Sequence, residues 1–501
     1  MKTIIFGPPG TGKTTTLLNI IDKRLSEGQS PRDIAFVAFT RKASNEAKTR
    51  ALTRFGFNDS DMPWYRTLHS CAFRLLGMNR SQVMTTSDYF TVCKHLGLYI
   101  TVQRADEDGT TGGLTKGDRL FFTENMSRIR GQTLKETWEA LPDEDLDWLE
   151  LSRLRLTLEE YKTRYGKRDF TDMVECVVKD KLVMPVSLAV VDEAQDLSPL
   201  QWAAVDGLFS QADDLYISGD DDQAIFRWAG ADPTRLLTDT GERQVLPQSY
   251  RVPIKIQELA QSVIAHVDER VPKVWSPTSE QGTIRYCNSL EQIPMGEGTW
   301  LLLGRNVVHL RQYIDYCLTA GYVFDSTIDC PLKGESLKGI VTWEKLRKGE
   351  NVPAAEALKV YDLISASVGV TYGKKGLLEK KCKPDELVNM KRLRDEFGLI
   401  TDRIWHCALD RIPGVEKEYF LNALRQGEKL LREPRIKITT IHGAKGGEAD
   451  NVVICPDMAR RTWQEFETNP QDECRVWYVA ATRAKKNLFI LEPFSDRCFT
   501  F

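Results

Sequence analysis

The sequence predicts an α/β protein built on parallel sheets and interrupted by two helical insertions. Three observations carry that expectation. Short β-branched runs recur along the chain without polar alternation, the pattern of strands buried on both faces. Helix-patterned segments separate many of these runs, and strands alternating with helices imply crossover connections. Two stretches, residues 77–165 and 331–433, break the rhythm with polar, helix-rich sequence.

The runs expected as strands are Thr3–Phe6, Ile34–Phe39, Leu188–Val191, Leu215–Ser218, Thr299–Leu303, Ile436–Thr440, Asn451–Ile454 and Asn487–Leu491. Lys13–Ser26 and Arg41–Arg54 are expected helices among them. At 501 residues the chain is too long for one core, since cores divide beyond roughly 250–300 residues. Hydrophobic residues at 42% and charged residues at 28% exclude a collagenous or wholly disordered chain. A net charge of −3 excludes a nucleic-acid binder announced by global basicity, but not one with a local basic face. That face has a candidate: residues 333–437 hold 22 Lys/Arg against 16 Asp/Glu, with a cluster from Lys374 to Arg394. A solvated surface and a phosphate-backbone contact are both open for it.

No run of about 18 apolar residues occurs, so no membrane helix is expected. The apolar start before Gly7 is too short for a signal peptide. The expectation is a cytoplasmic protein, of a prokaryotic or phage-infected cell, with no membrane partner. Eleven cysteines, an odd number without a Cys-x-x-Cys pair, argue against a disulfide framework and a zinc site.

Gly7-Pro8-Pro9-Gly10-Thr11-Gly12-Lys13-Thr14 fits the phosphate-loop pattern G-x-x-x-x-G-K-[ST], after an expected strand and before an expected helix. Glycines let backbone N–H groups close around phosphate oxygens. The helix N-terminus adds partial positive charge. Lys13 reaches the β- and γ-phosphates, the Thr14 hydroxyl ligates Mg²⁺, and Thr15 follows in the same turn. Farther on, Leu188–Val191 runs into Asp192-Glu193. A carboxylate at a buried strand tip, Asp192, suits Mg²⁺. Its neighbour Glu193 suits a base for the attacking water. An Asp-Glu pair alone often merely ends a strand. The phosphate loop in the same chain gives it the chemical reading.

Asp192-Glu193-Ala194-Gln195-Asp196 and Gly219-Asp220-Asp221-Asp222-Gln223-Ala224-Ile225-Phe226-Arg227-Trp228 resemble motifs II and III of superfamily 1A (UvrD/Rep/PcrA-like) DNA helicases. The other motifs follow in family order. Ala38–Ala43 resembles motif Ia, Thr67–Ser70 motif Ib, and Gln248-Ser249-Tyr250-Arg251 motif IV. Leu303–Asn306 resembles the segment after it, Thr440–Glu448 motif V, and Tyr478–Ala484 motif VI. The resemblance implies two RecA-like P-loop domains, each with a mainly helical insert. Domain 1A would comprise 1–76 and 166–245, with insert 1B at 77–165. Domain 2A would comprise 246–330 and 434–501, with insert 2B at 331–433.

The resemblance also implies roles. Gln223 would sense the γ-phosphate, Arg251 and Arg483 would stabilise the transferring phosphoryl group, Tyr250 would stack on the nucleobase and Glu448 would meet the ribose. Phe39, Phe226 and Trp228 match base-stacking positions; Thr40, Thr67, His69, Arg305, Asn306 and His442 match strand-contacting ones. For the aromatics the alternative is a core role, and for His69 and His442 a structural one. The implied ligands are ATP with Mg²⁺, single-stranded DNA and single-strand/duplex junctions, with replication or recombination proteins as candidate partners. The chain departs from the family at Ala229, Gly447, Ala449 and Ala480, and begins almost at its first strand, which suits a phage-encoded member. The activity implied is 3′–5′ DNA unwinding driven by ATP hydrolysis. A translocase that displaces proteins or remodels recombination intermediates, and an ATP-gated clamp without turnover, are the competing readings.

Overall fold

The computed structural model describes residues 1–38, 41–101, 115–140, 145–366 and 369–501, except for the side chains of residues 41–43, 46, 47 and 50. Phe39 and Thr40 therefore lie outside the described residues, as does most of the Gly/Thr/Asp-rich loop near 106–118. The chain gathers into two compact units. One comprises Met1–Ser289, Leu303–Val307 and Thr440–Phe501; the other comprises Leu290–Leu302 and Val308–Thr439.

The first unit contains a six-stranded sheet of β1 (Lys2–Phe6), β2 (Ile34–Ala38), β3 (Trp64–Thr67), β4 (Leu188–Asp192), β5 (Asp214–Gly219) and β6 (Glu242–Val245). The strand order is β3-β2-β4-β5-β1-β6 and every pairing is parallel. Successive strand residues point to opposite faces, and both faces are apolar here. Ile4, Phe6, Val37, Val191 and Ile217 enter one core with Trp202 and Leu208. Ile5, Phe36 and Val190 enter the other with Leu17, Leu18 and Ile21, one face of the helix Lys13–Ser26. Each fully buried residue of this kind contributes roughly 1.5–3 kcal/mol.

Between β3 and β4 the helices Thr86–Leu96, Lys116–Arg130, Leu134–Ala140 and Trp148–Tyr165 enclose their own core, which includes Val92, Leu120, Leu151, Leu154 and Leu158. Their limits follow local chemistry. Thr85 with Asp88, and Thr115 with Asp118, form capping boxes. Gly97, Gly131 and Gly166 end three of the helices in the left-handed conformation. Arg128 joins this bundle to the helix Phe170–Lys179 through Asp169, Asp172 and Glu175.

The remaining strands are β7 (Thr283–Cys287), β8 (Trp300–Gly304), β9 (Phe324–Ser326), β10 (Val352–Pro353), β11 (Leu387–Val388), β12 (Ile436–Thr440), β13 (Ala449–Cys455) and β14 (Ala484–Leu491). In the first unit β14 pairs in parallel with β13 and with β7. In the second, β12 pairs in parallel with β9. There β10 and β11 form a short antiparallel pair among the helices Glu335–Arg347, Ala354–Asp362 and Gly414–Arg425. The chain thus carries two parallel-sheet α/β domains, as its strand pattern predicts.

The eight expected strands are present. Six others are additional to that expectation: β10 and β11 form the short antiparallel pair, and β3, β6, β7 and β9 lie at sheet edges. Edge strands need no continuous apolar run: β6 exposes Glu242, Arg243 and Gln244, and β7 is mostly exposed up to Cys287.

Candidate active site

The site is set by strand order. β5 lies between β1 and β4, and strand spacing of ~4.8 Å puts the β1 and β4 tips about 10 Å apart. A crevice that wide at the carboxyl ends of parallel strands accommodates a phosphate chain. The residues at its two walls are Gly7–Thr14 and Asp192-Glu193.

The loop after β1 is closed by its own bonds. Gly7 N–H donates to Gly219 O on β5 at 3.0 Å, and the Thr11 N–H and hydroxyl donate to Pro8 O at 3.2 and 2.8 Å. Pro8 and Pro9 are buried, while Thr15 is exposed on the first helical turn. Gly12 caps the helix with φ 78°, a left-handed conformation that favours glycine. Gly10, with φ 73°, has a second reason to be glycine: a Cβ there would lie 2.3 Å from Arg251 Cβ. Lys13 folds over the loop, its Nζ donating to Gly7 O at 2.8 Å.

Across the crevice, the Thr14 hydroxyl donates to Asp192 Oδ2 at 3.1 Å. Glu193 adopts φ 56° and ψ 40°. Among described non-glycine residues only Lys181 shares a positive φ. The Glu193 N–H donates to Asp192 Oδ1 at 2.9 Å, and the Gln195 amide donates to the Glu193 carboxylate. Burial, and then the neighbouring Glu193 charge, pushes the Asp192 carboxyl up to about 7. Burial acts on Glu193 too, but Lys13 and Lys445 outweigh it and keep that carboxyl below its usual range.

The segment after β6 lies against the phosphate loop. Ser249 Oγ donates to Pro9 O at 2.8 Å and Tyr250 N–H to Gly10 O at 2.9 Å. Tyr250 itself is 77% exposed. Arg251 Nε donates to Glu448 Oε2 at 2.6 Å, and Lys485 pairs with the other Glu448 oxygen at 2.6 Å. Against the effect of burial, Arg251 and Lys485 hold the Glu448 carboxyl below its usual range. Arg483 follows the helix Pro470–Ala481 and is buried. It donates to Val479 O at 3.1 Å, Gly447 O at 3.2 Å and Gln223 Oε1 at 2.9 Å. Burial, and then Arg251, draws its guanidinium down to about 9, which leaves it charged at neutral pH.

Four groups in this site carried no assigned role at the sequence level. Lys445 Nζ donates to both Asp196 oxygens at 2.7 and 2.6 Å and to Gln223 O at 2.7 Å. Burial pushes the Asp196 carboxyl up to about 6 although Lys445 opposes it. Ser249 and Lys273 complete the set: the latter sits fully buried beside Asp220, Asp221 and Asp222. Lys445 stands inside the motif V match, so its position was a signal. Lys273 lies outside every matched motif.

The residues expected to meet a nucleic-acid strand divide into two groups. Phe226, Trp228 and His442 form one aromatic cluster: ring centroids lie 6.5 Å apart for Phe226–Trp228, 5.9 Å for Phe226–His442 and 6.1 Å for Trp228–His442. Burial, and then Arg305, holds the His442 imidazole well below its ordinary pKa, so the ring is neutral. Lys445 lies over the Phe226 ring at 5.0 Å. The others make internal bonds. Arg305 donates to both oxygens of Glu473 at 2.8 and 2.6 Å. Asn306 donates to Thr462 Oγ1 and accepts from Ala459 N–H, each at 2.9 Å. Thr67 caps the helix Leu68–Leu75, and His69 meets Phe170 edge-on at 5.9 Å.

A phosphate-loop sequence after β1, an acidic pair at the tip of β4 two strands away, and Arg251 and Arg483 are thus brought together, an arrangement that can hold a nucleoside phosphate. The model of the UvrD/REP helicase N-terminal domain matches residues 1–243, and that of the UvrD-like helicase C-terminal domain matches 410–492. The chain belongs to the UvrD/Rep/PcrA-like helicases of superfamily 1. It is 26% identical over 325 residues to ATP-dependent DNA helicase PcrA of Bacillus subtilis, spanning 60% of this chain and 42% of that protein. The PcrA of Staphylococcus epidermidis RP62A is 26% identical over 609 aligned positions, covering 99% of this chain and 82% of that one. For Staphylococcus aureus NCTC 8325 PcrA the identity is 22% at the same coverages, 99% and 82%. No helix among the described residues is long and apolar enough to cross a membrane.

Proposed function

We propose that this protein is an ATP-driven DNA helicase that moves 3′ to 5′ along a single strand and separates the duplex ahead of it. One observation carries the reading. The side chain of Gln223 accepts from Arg483 at 2.9 Å, and its backbone carbonyl accepts from Lys445, whose ammonium lies over Phe226 at 5.0 Å. One short turn therefore touches both the nucleotide residues and the aromatic cluster.

In this reading the loop N–H groups and Lys13 hold the phosphates. Glu193, kept ionised, takes a proton from the attacking water. Arg251 and Arg483 stabilise charge on the transferring group, and Gln223 senses the γ-phosphate. Thr14 Oγ1 and the Asp192 carboxylate, 3.1 Å apart, are a hard-oxygen pair that suits Mg²⁺. Mg²⁺ bound with ATP supplies charge neutralisation on the β- and γ-phosphates. The domain assignment follows: 1–76 and 166–245 carry the loop and acidic pair, 246–330 and 434–501 carry the arginines, and 77–165 and 331–433 are inserts. ATP would favour closure of the cleft between the two domains, and hydrolysis would release it.

Phe226 and Trp228 would stack on bases, with His442 supporting them. Trp228→Ala is expected to raise the Kd for oligo-dT by roughly 5–100-fold, the equivalent of one lost stack. A fluorescence anisotropy titration checks it. The polarity rests on motif III with Trp228 and motif V with Ala444-Lys445-Gly446, which resemble the 3′–5′ branch. Strand displacement with ATP and Mg²⁺ on 3′-tailed and 5′-tailed duplexes tests it, with phosphate release followed in the same tubes. Displacement from the 3′ tail alone is expected. Displacement only from the 5′ tail reverses the polarity, and phosphate release without displacement replaces the helicase with a translocase.

A further inference from the structure

The turn that carries Gln223 is held by charge. Asp220, Asp221 and Asp222 follow β5 in succession and are fully buried. Adjacent buried carboxylates are costly unless cations neutralise them. Lys273, itself fully buried, lies 3.2 Å from Asp220, 2.5 Å from Asp221 and 3.0 Å from Asp222. Arg270 adds a bidentate pair with Asp222 at 2.8 and 2.6 Å, and Val271 N–H donates to Asp221 at 2.8 Å. On the other side Arg475 donates to the Asp221 carbonyl at 3.1 Å.

The three aspartates differ in one respect. Asp221 and Asp222 direct their carboxylates to cations and backbone. Asp220 turns one oxygen toward Lys273, and its other oxygen accepts from Gln223 Nε2 at 2.6 Å. Its N–H donates to Gln195 Oε1 at 3.0 Å, which fixes its backbone beside the acidic motif. The Gln223 amide is thereby oriented at both ends, its NH₂ on Asp220 and its oxygen on Arg483. A flipped amide would set its NH₂ against the Arg483 donor and its oxygen against the Asp220 carboxylate. Lys273 is thus two contacts from the group that meets the γ-phosphate.

We propose that Lys273 is a positioning residue for hydrolysis: by fixing Asp220 it orients the Gln223 amide that distinguishes a nucleoside triphosphate from a diphosphate. This rests on Gln223 being the γ-phosphate sensor, as read above. Asp221 and Asp222, with Arg270, anchor the turn on which that orientation depends.

The test is a double-mutant cycle in the full chain with Mg²⁺, combining Lys273→Met and Gln223→Ala. The readouts are competition binding of ADP against AMP-PNP, and kcat and KM for ATP. Lys273→Met is expected to erase most of the preference for AMP-PNP and to lower kcat about 10–100-fold, with KM changed less than about threefold. Lys273→Arg, which keeps the charge, is expected to restore most of the preference. The double variant is expected to be no worse than Gln223→Ala, because both changes break one linkage. Should Lys273→Met fail to fold, Lys273→Met with Asp221→Asn removes the lysine without an added uncompensated carboxylate, and the same loss is expected. Additive losses, or a preference kept intact without Lys273, overturn the proposal. If Gln223→Ala alone leaves the preference unchanged, Gln223 is not the sensor and both readings fall together.

Discussion

Arg483→Ala is expected to lower kcat for ATP by about 10³-fold or more, while nucleotide affinity changes by only a few-fold. An arginine acting on phosphoryl transfer contributes on the order of 10³–10⁵ in rate. Arg483 has the structure of such a group. It is buried, so its charge acts in a medium that screens poorly. Three acceptors, Val479 O, Gly447 O and Gln223 Oε1, fix its direction before any reaction begins. Such preorganised charge stabilises the transition state more than the ground state, which is why kcat falls further than affinity. Arg483→Lys is not an adequate substitute, since an ammonium cannot reproduce the planar fork that serves three acceptors at once. Stopped-flow phosphate release and titration with a fluorescent ATP analogue measure the two quantities. Thermal melting in parallel separates lost chemistry from lost folding, because Gln223 would be left without its donor. Turnover like that of the unaltered chain would remove the arginine from the mechanism and take the two-domain cleft with it.

Lys13→Ala is the second large effect: hydrolysis is expected to fall by on the order of 10³, with single-strand binding retained. The lysine and the first loop glycine are built together, since a Cβ on Gly7 would lie 1.9 Å from Lys13 Cγ. The lysine stem therefore fills the space that glycine leaves, and its ammonium rests against the Gly7 carbonyl at 2.8 Å. Alanine removes both the charge and the packing. The rings of Phe226, Trp228 and His442 lie against one another, and Lys445 rather than the phosphate-loop lysine sits over Phe226. Phosphate release with excess DNA measures the first part, and anisotropy with labelled oligo-dT the second. Loss of both together would show that the loop supports the strand-binding residues as well.

The central architecture was legible because burial on both faces forces strands such as Ile34–Ala38, and residues 188–191 of β4, to be apolar. The edge strands were not, because Glu242–Val245 needs only backbone partners on one side and writes no hydrophobic signature. Much of the candidate site was legible for a related reason. The phosphate loop is contiguous in sequence, and its glycines, lysine and threonine occupy fixed offsets. Long-range charge pairing leaves no such trace. Nothing in the sequence around Lys273 announces three aspartates some fifty residues upstream, nor do the residues flanking Arg305 announce Glu473. Arg305 and Asn306 show the converse. Their place in a motif pointed to a strand, whereas their described side-chain bonds run to Glu473, Thr462 and Ala459.

The backbone at Glu193 imposes a selective conflict on this chain. A left-handed φ of 56° is disfavoured for a residue with a long side chain and costs of order 1–3 kcal/mol. Glycine would relieve it but has no carboxylate. Asparagine tolerates the conformation but carries no charge, and aspartate brings its carboxylate one methylene short. With Glu193 as the proposed base, each gentler choice would disable it, so the residue suited to that chemistry is one that the conformation resists. Folding stability and turnover therefore pull in opposite directions at a single peptide unit. A lineage released from the need to hydrolyse nucleotide would gain stability by surrendering this position, whereas one that depends on hydrolysis must carry the strain.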